Sequence, residues 1–182
     1  AGTTVYSLSV SAAGVNSGLD DTATGSDILL YMQGNDVVGR VGGPAGAIAF
    51  RVSVNGSGQV TLDQQRAIEH EPNTTHDQAS SLAAANLVQL TATITDKDGD
   101  SDSETINLGS AISFKDDGPT LNSSAPADNS LQVDETTLAT DATANYAGNF
   151  TGGYGADGAG TTVYSLSVSA AGVNSGLDDT AT

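Results

Sequence analysis

Residues 47–62 read AIAFRVSVNGSGQVTL, and this stretch decides the fold class. Its first half alternates apolar with small or polar residues, which is the period-two pattern of a strand that buries one face. The segment NGSG at 55–58 is typical of a turn, and the alternation resumes after it. The alternating apolar residues are Ile48, Phe50, Val52 and Val54, then Val60 and Leu62. The stretch therefore predicts an antiparallel β-hairpin.

Further short apolar runs lie on both sides of this hairpin. They occupy residues 4–10, 28–32, 87–95, 106–108 and 112–114. Val88, Leu90 and Ile94 are expected in the core, and Ile106 continues the same pattern. Only residues 78–86 (QASSLAAAN) have a pattern that favours one or two helical turns. Many short strands separated by turns are typical of an all-β sandwich or barrel, and we expect an immunoglobulin-like β-sandwich.

The composition excludes several classes of function. The 182 residues include 22 acidic and only 5 basic side chains, for a net charge of −17. A nucleic-acid partner is not expected, because no basic patch is present to replace counterions. Membrane insertion is not expected either, because the sequence has no run of about 18 apolar residues. The chain has no cysteine, so bound metal is the expected substitute for disulfides.

The chain contains an identical repeat. Residues 1–24 read AGTTVYSLSVSAAGVNSGLDDTAT, and residues 159–182 are the same letter for letter, an offset of 158 residues. Such identity indicates duplication and predicts a tandem array. We interpret residues 1–115 as the later part of one repeat, lacking its first strands, and residues 131–182 as the opening part of the next. Residues 116–130 hold two prolines and no core pattern, which predicts an interdomain linker.

The strongest chemical signal is TDKDGDSDSE at 95–104. Its carboxylates stand at every second position, and Gly99 permits a tight bend that brings them together. Calcium takes six to eight oxygen ligands, several of them anionic. The segment is not an EF-hand, because its glycine is misplaced and no helices flank it. The predicted calcium ligands are Asp96, Asp98, Asp100, Asp102 and Glu104, on a loop expected to span 96–104; the alternative is a solvated acidic turn.

Two more acidic pairs flank the predicted linker. Asp116 and Asp117 follow the last strand of the first unit, and Asp134 and Glu135 open the next. We expect these four residues to bind calcium and to stiffen the linker, which is otherwise a polar, disordered segment. Residues 152–157 (GGYGAD) match the core of the calcium β-roll repeat, and Asp157 is a lesser calcium candidate. A glycine-rich connection explains that single copy equally well.

The two histidines, His70 and His76, give the case for an enzyme. Histidine is a common acid–base catalyst and His70 stands between Glu69 and Glu71, but no nucleophile motif or HExxH accompanies it. We therefore predict no enzymatic activity. A zinc site is also considered, although two histidines without thiols are too few unless carboxylates assist.

Several motifs together resemble a known family. They are VDETTL (133–138), AFRVSVNGSGQVTLDQQRAIEH (49–70), TITDKDGDSDS (93–103) and FKDDGPT (114–120). As an ordered set, they resemble the extender repeats of giant RTX adhesins, which Gram-negative bacteria export by type I secretion. The resemblance implies an immunoglobulin-like β-sandwich in serial copies, with calcium at the linkers.

The resemblance also implies a function and a location. The function is to project a ligand-binding tip from the bacterial surface in adhesion and biofilm formation, so the location is extracellular. The expected partners are neighbouring repeats of the same polypeptide. Residues 119–182 of one molecule are also expected to supply the missing strands of a neighbour, giving head-to-tail complementation. The alternative is a carbohydrate- or surface-binding β-sandwich domain of a secreted adhesin.

Overall fold

A computed structural model describes residues 2–71 and 76–178. Within these ranges the chain forms strands and single turns of 3-10 helix. The strands are β1 (Thr3–Val10), β2 (Val15–Asp21), β3 (Ser26–Gln33), β4 (Asp36–Val41), β5 (Ile48–Val54), β6 (Val60–Gln64), β7 (Ala79–Ser81), β8 (Val88–Thr95), β9 (Ser101–Asn107), β10 (Ser113–Lys115), β11 (Thr120–Ser123) and β12 (Phe150–Gly153). The 3-10 turns are Ala85–Leu87, Gly109–Ala111, Glu135–Thr137 and Ala147–Asn149.

Every pairing between these strands is antiparallel. The largest sheet has the order β2-β3-β4-β5-β6, and a second sheet has the order β1-β8-β9. Two small sheets pair β7 with β10 and β11 with β12. The hairpin predicted from residues 47–62 is confirmed, because β5 pairs with β6 in a register that joins Val54 to Val60. The chain is therefore all-β.

The two larger sheets share one hydrophobic core. Leu8 and Val88 contribute from the three-stranded sheet, and Leu30 and Phe50 contribute from the five-stranded sheet. Phe114 of β10 packs on Phe50 with ring centroids 4.9 Å apart. Such a core between two layers of sheet is consistent with a β-sandwich.

Glycine permits the closest approach within this core. At Gly39 of β4, a Cβ atom would lie against the Phe50 ring and 2.8 Å from Ile28 Cγ2. The aromatic ring thus occupies the space that any larger residue at position 39 would need.

Two predictions from apolar pattern are wrong. Residues 78–86 do not form helical turns throughout, because β7 pairs there with β10 and only Ala85–Leu87 is helical. Ile94 and Ile106 are not core residues, since they are 57% and 58% exposed. They share the inward face of their sheet, but β9 is an edge strand whose residues are all exposed. The five-stranded sheet does not cover that end of the face.

The second half of the chain is organised differently. The segment predicted as a linker, 116–130, contains β11, which pairs with β12 from residue 150 onward. Residues 161–178 form no strand and are exposed, although they repeat the sequence that forms β1 and β2. Identical residues therefore take different structures in the two halves.

Candidate functional site

A short hairpin loop, residues 96–100, joins β8 to β9. Asp96 Oδ1 accepts hydrogen bonds from the backbone N–H groups of Gly99 and Asp100, both at 3.0 Å. Gly99 has a φ of +105°, which favours glycine. The side chain of Asp96 therefore holds the loop in a tight bend. This bend brings the neighbouring carboxylates close to Asp96.

This loop gathers three carboxylates. One oxygen each from Asp96, Asp98 and Asp100 lies within 4.8 Å of the others, and all three residues are exposed. A hydrogen bond with the Asp98 side chain, supported by backbone N–H groups, holds the pKa of Asp96 below its usual value. The cluster therefore offers three carboxylate oxygens to a cation that prefers oxygen ligands.

Asp102 and Glu104 do not belong to this cluster. The predicted loop 96–104 is shorter than expected, because β9 begins at Ser101 and pairs with β8 along its whole length. Strand geometry extends the backbone by about 3.3 Å per residue, so these two side chains are carried away from the bend. Among the described residues, the only group of three or more potential ligands within mutual reach is Asp96, Asp98 and Asp100.

Asp116 and Asp117 lie where the chain leaves β10. The backbone N–H of Asp116 donates to the carbonyl of Gln78 at 2.8 Å. The Asp116 side chain is only 12% exposed and faces His70, with Oδ1 3.7 Å from Nδ1. Asp117 Oδ2 accepts a hydrogen bond from the N–H of Ala156 at 3.1 Å. The two neighbouring acids therefore have different partners.

Asp134 and Glu135 form a separate local structure. Asp134 caps the 3-10 turn Glu135–Thr137, and its Oδ1 accepts from the N–H of Thr136 at 2.8 Å. A side-chain hydrogen bond with Thr136 lowers the pKa of Asp134. Both acids are exposed, and no described group of ligands joins them to Asp116 or Asp117.

The glycine-rich segment 152–157 contacts the exit of β10. Gly155 has a φ of +77°, and a Cβ atom there would collide with the carbonyl of Asp117. Asp157 Oδ1 accepts from Thr22 Oγ1 at 3.4 Å. A cleft of about 390 Å³ lies at this contact. Its lining includes Arg66, His70, Asp116, Asp117 and Asp157. Sequence reasoning missed this grouping, because its members are far apart along the chain.

One family matches most of the chain. It is described as a domain of unknown function, DUF5801, and it matches residues 1–109 and 130–182. The chain belongs to the DUF5801 family. No curated protein and no solved structure matches it.

The two ranges that match DUF5801 divide the candidate residues. Asp96, Asp98 and Asp100 lie in the first range, and Asp134 and Glu135 lie in the second. Asp116 and Asp117 lie between the two matched ranges of this DUF5801 chain.

No helix among the described residues of the DUF5801 chain has the length and apolar character required to cross a bilayer.

Proposed function

We propose that this chain is a structural extender module of a bacterial cell-surface RTX adhesin. Its units are immunoglobulin-like β-sandwiches in tandem, made rigid by calcium at their junctions, and they project a ligand-binding tip in adhesion and biofilm formation. The observation that carries the proposal is the identity of residues 1–24 and 159–182 in an acidic, cysteine-free, all-β chain. Copying a module in tandem adds length, which suits a spacer. We therefore propose no enzymatic activity.

The position of the acidic loop supports calcium binding at a junction. Gly2 lies beside this loop, since a Cβ atom on Gly2 would be 3.7 Å from the Cα of Asp96. The counterpart of Gly2 in the repeat is Gly160, which lies three residues after Asp157 at the end of the glycine-rich segment. In a tandem array, the chain arriving from the preceding segment would therefore pass the acidic loop of the unit it enters.

The family matches support the proposed division of the chain. The ranges 1–109 and 130–182 leave out most of the segment 116–130, which we propose as the calcium-binding linker. The units on either side are 1–115 and 131–182. Neighbouring repeats of the same polypeptide are the proposed partners, and the proposed location is extracellular, at the bacterial surface.

Exposed apolar side chains support strand complementation between copies. Val5, Ile94 and Ile106 are exposed on the three-stranded sheet, and Leu166 and Val168 are exposed in the second copy of the repeat. We propose that residues 119–182 of one molecule cover these exposed side chains on the first unit of another, head to tail. Sedimentation velocity at rising concentration tests this step, and a single monomer boundary throughout would contradict it.

A specific observation favours the alternative of a ligand-binding domain. A groove of about 1050 Å³ is lined by Tyr146, Phe150, Tyr154 and Tyr164. Aromatic rings stack on apolar sugar faces, so this groove suits a carbohydrate better than an ion. A glycan array distinguishes the two functions, because an extender module is expected to bind no glycan.

Calcium titration tests the main proposal. Calorimetry on the whole chain should detect calcium binding, and Asp98→Asn should weaken it at least about fivefold because a charged ligand is lost. Asp102→Asn is the matched control, since it removes the same charge outside the cluster and should leave the affinity nearly unchanged. Small-angle scattering should show a change in maximum dimension on calcium addition. Equal effects of the two variants, or an unchanged dimension, would contradict the proposal.

A further inference from the structure

His70 has one ring nitrogen whose role is fixed by its partner. The side chain is 5% exposed, and Nε2 lies 3.1 Å from the carbonyl oxygen of Phe114. A carbonyl oxygen only accepts hydrogen bonds, so Nε2 carries the proton. In the neutral imidazole, Nδ1 is then unprotonated and carries a lone pair.

That lone pair is buried without a hydrogen-bond partner among the described residues. The nearest acidic oxygen, Asp116 Oδ1, is 3.7 Å away, which is too long for a hydrogen bond. A lone pair facing a carboxylate across that gap is unfavourable in a site so poorly solvated. A cation between the two atoms would convert this repulsion into attraction.

The separation of the two atoms suits two ligands of one metal ion. Zinc binds nitrogen at about 2.0–2.1 Å and carboxylate oxygen at about 2.0–2.2 Å, so neighbouring ligands on a tetrahedral ion lie roughly 3.4 Å apart. The observed 3.7 Å needs only a small adjustment. A metal-bound histidine commonly donates its other N–H to a backbone carbonyl, as His70 does to Phe114.

The surroundings add oxygen ligands and negative charge. Asp117 and Asp157 line the same cleft. Its two basic side chains are already engaged. Arg66 is bound to the buried Asp21 through Nε at 2.7 Å, and Lys115 Nζ lies 2.6 Å from Asp77. Among the described residues, the three carboxylates of Asp116, Asp117 and Asp157 therefore have no lysine or arginine partner in this cleft.

We propose that His70 Nδ1 and the Asp116 carboxylate bind a divalent transition metal of the zinc class, with Asp117 and Asp157 supplying further oxygens. The nitrogen ligand distinguishes this site from the oxygen-only calcium loop at 96–100. Because Gly155 lies against the carbonyl of Asp117 and Asp157 lines the same cleft, the metal would tie the glycine-rich segment to the exit of β10. The site goes beyond the proposed extender function, and it assigns Asp116 and Asp117, which were expected to bind calcium at the linker, to a different metal.

Zinc titration in the presence of millimolar calcium tests the proposal on the whole chain. Zinc should bind the natural sequence, and His70→Gln should weaken binding at least about tenfold. His76→Gln is the matched control, because it removes the only other histidine and leaves the cleft lining intact. Asp116→Asn should weaken zinc binding as well. Equal zinc affinity in the natural chain and a folded His70→Gln variant would overturn the proposal.

Nitrogen NMR of the natural chain gives a readout that needs no variant. On zinc addition, the Nδ1 resonance of His70 should shift from its free position while Nε2 keeps its proton. An unshifted Nδ1 at saturating zinc, or an imidazole protonated on both nitrogens that binds no zinc, would also overturn the site. If the chain binds zinc but not calcium, the calcium proposal is rejected and the zinc proposal is retained.

Discussion

At the scale of single residues, the buried pair of Asp21 and Arg66 determines how acid affects stability. Asp21 is fully buried, and its two oxygens accept from Arg66 Nε at 2.7 Å and Nη2 at 3.0 Å. The hydrogen bond from Arg66 lowers the pKa of Asp21 below its ordinary value of 3.8. Its contribution to stability is therefore complete above that ordinary value and is lost as the pH falls through the lower folded pKa.

Asp21→Asn should lower the thermal midpoint at pH 7, since the buried charge pair is broken. The difference in thermal midpoint from the natural chain should narrow only as the pH falls below 3.8 and through the lower folded pKa, where the natural carboxylate also becomes neutral. Asp36→Asn is the control: its partner Arg51 lies 2.7 Å away, but Asp36 is 30% exposed, so the loss should be smaller. Melting curves between pH 3 and 7 measure both, and a gap that stays constant with pH would contradict the assignment.

At the scale of secondary-structure elements, the duplicated segment shows the effect of structural context, because the same residues occur in two different environments. Leu8 in β1 is 6% exposed, whereas its counterpart Leu166 is fully exposed. Leu8→Ala should therefore lower the free energy of unfolding by about 2–5 kcal/mol. In the unassociated molecule, at concentrations where no head-to-tail complex forms, Leu166→Ala should change it by less than about 0.5 kcal/mol. Urea denaturation measures both, and equal losses would mean that the second copy is packed in solution.

The same segment shows why only part of the fold can be predicted from sequence. Alternation predicted β1, β5, β6 and β8, and the alternating residues of β1, β5 and β8 include the buried Leu8, Phe50 and Val88. It predicts the same strands for residues 161–178, yet no strand forms there, whereas in the first copy β1 pairs with β8 and β2 pairs with β3. Strand pairing is long-range, and a local pattern does not say whether its partner is present.

The candidate sites, like the fold, could be predicted only in part from the sequence. The charge pattern of 96–100 indicated a cluster, because a tight turn brings neighbours in sequence together. Asp102 has the same spacing but lies on β9, where the backbone is extended. The contact of His70 with Asp116 joins positions 46 residues apart, and only the packed structure brings them together. Spacing therefore predicts sites made by turns and misses sites made by packing.

At the scale of the whole molecule, the net charge of −17 makes the folded chain repel itself. Sodium chloride should raise the thermal midpoint by screening this repulsion, since the screening length falls to about 10 Å at 0.1 M salt. Calcium chloride at the same ionic strength should raise the midpoint further, because an ion bound only by the native state adds its binding free energy to stability.

Magnesium chloride at the concentration of the calcium salt is the sharper comparison. The two ions carry the same charge and screen equally, but magnesium keeps its waters and demands octahedral geometry at shorter distances. An exposed cluster of three carboxylates such as Asp96, Asp98 and Asp100 should therefore favour calcium. Chelation should reverse only the additional rise in thermal midpoint that calcium causes. Midpoints that rise equally in both salts would assign the whole effect to screening, and the acidic loop would then be a solvated turn.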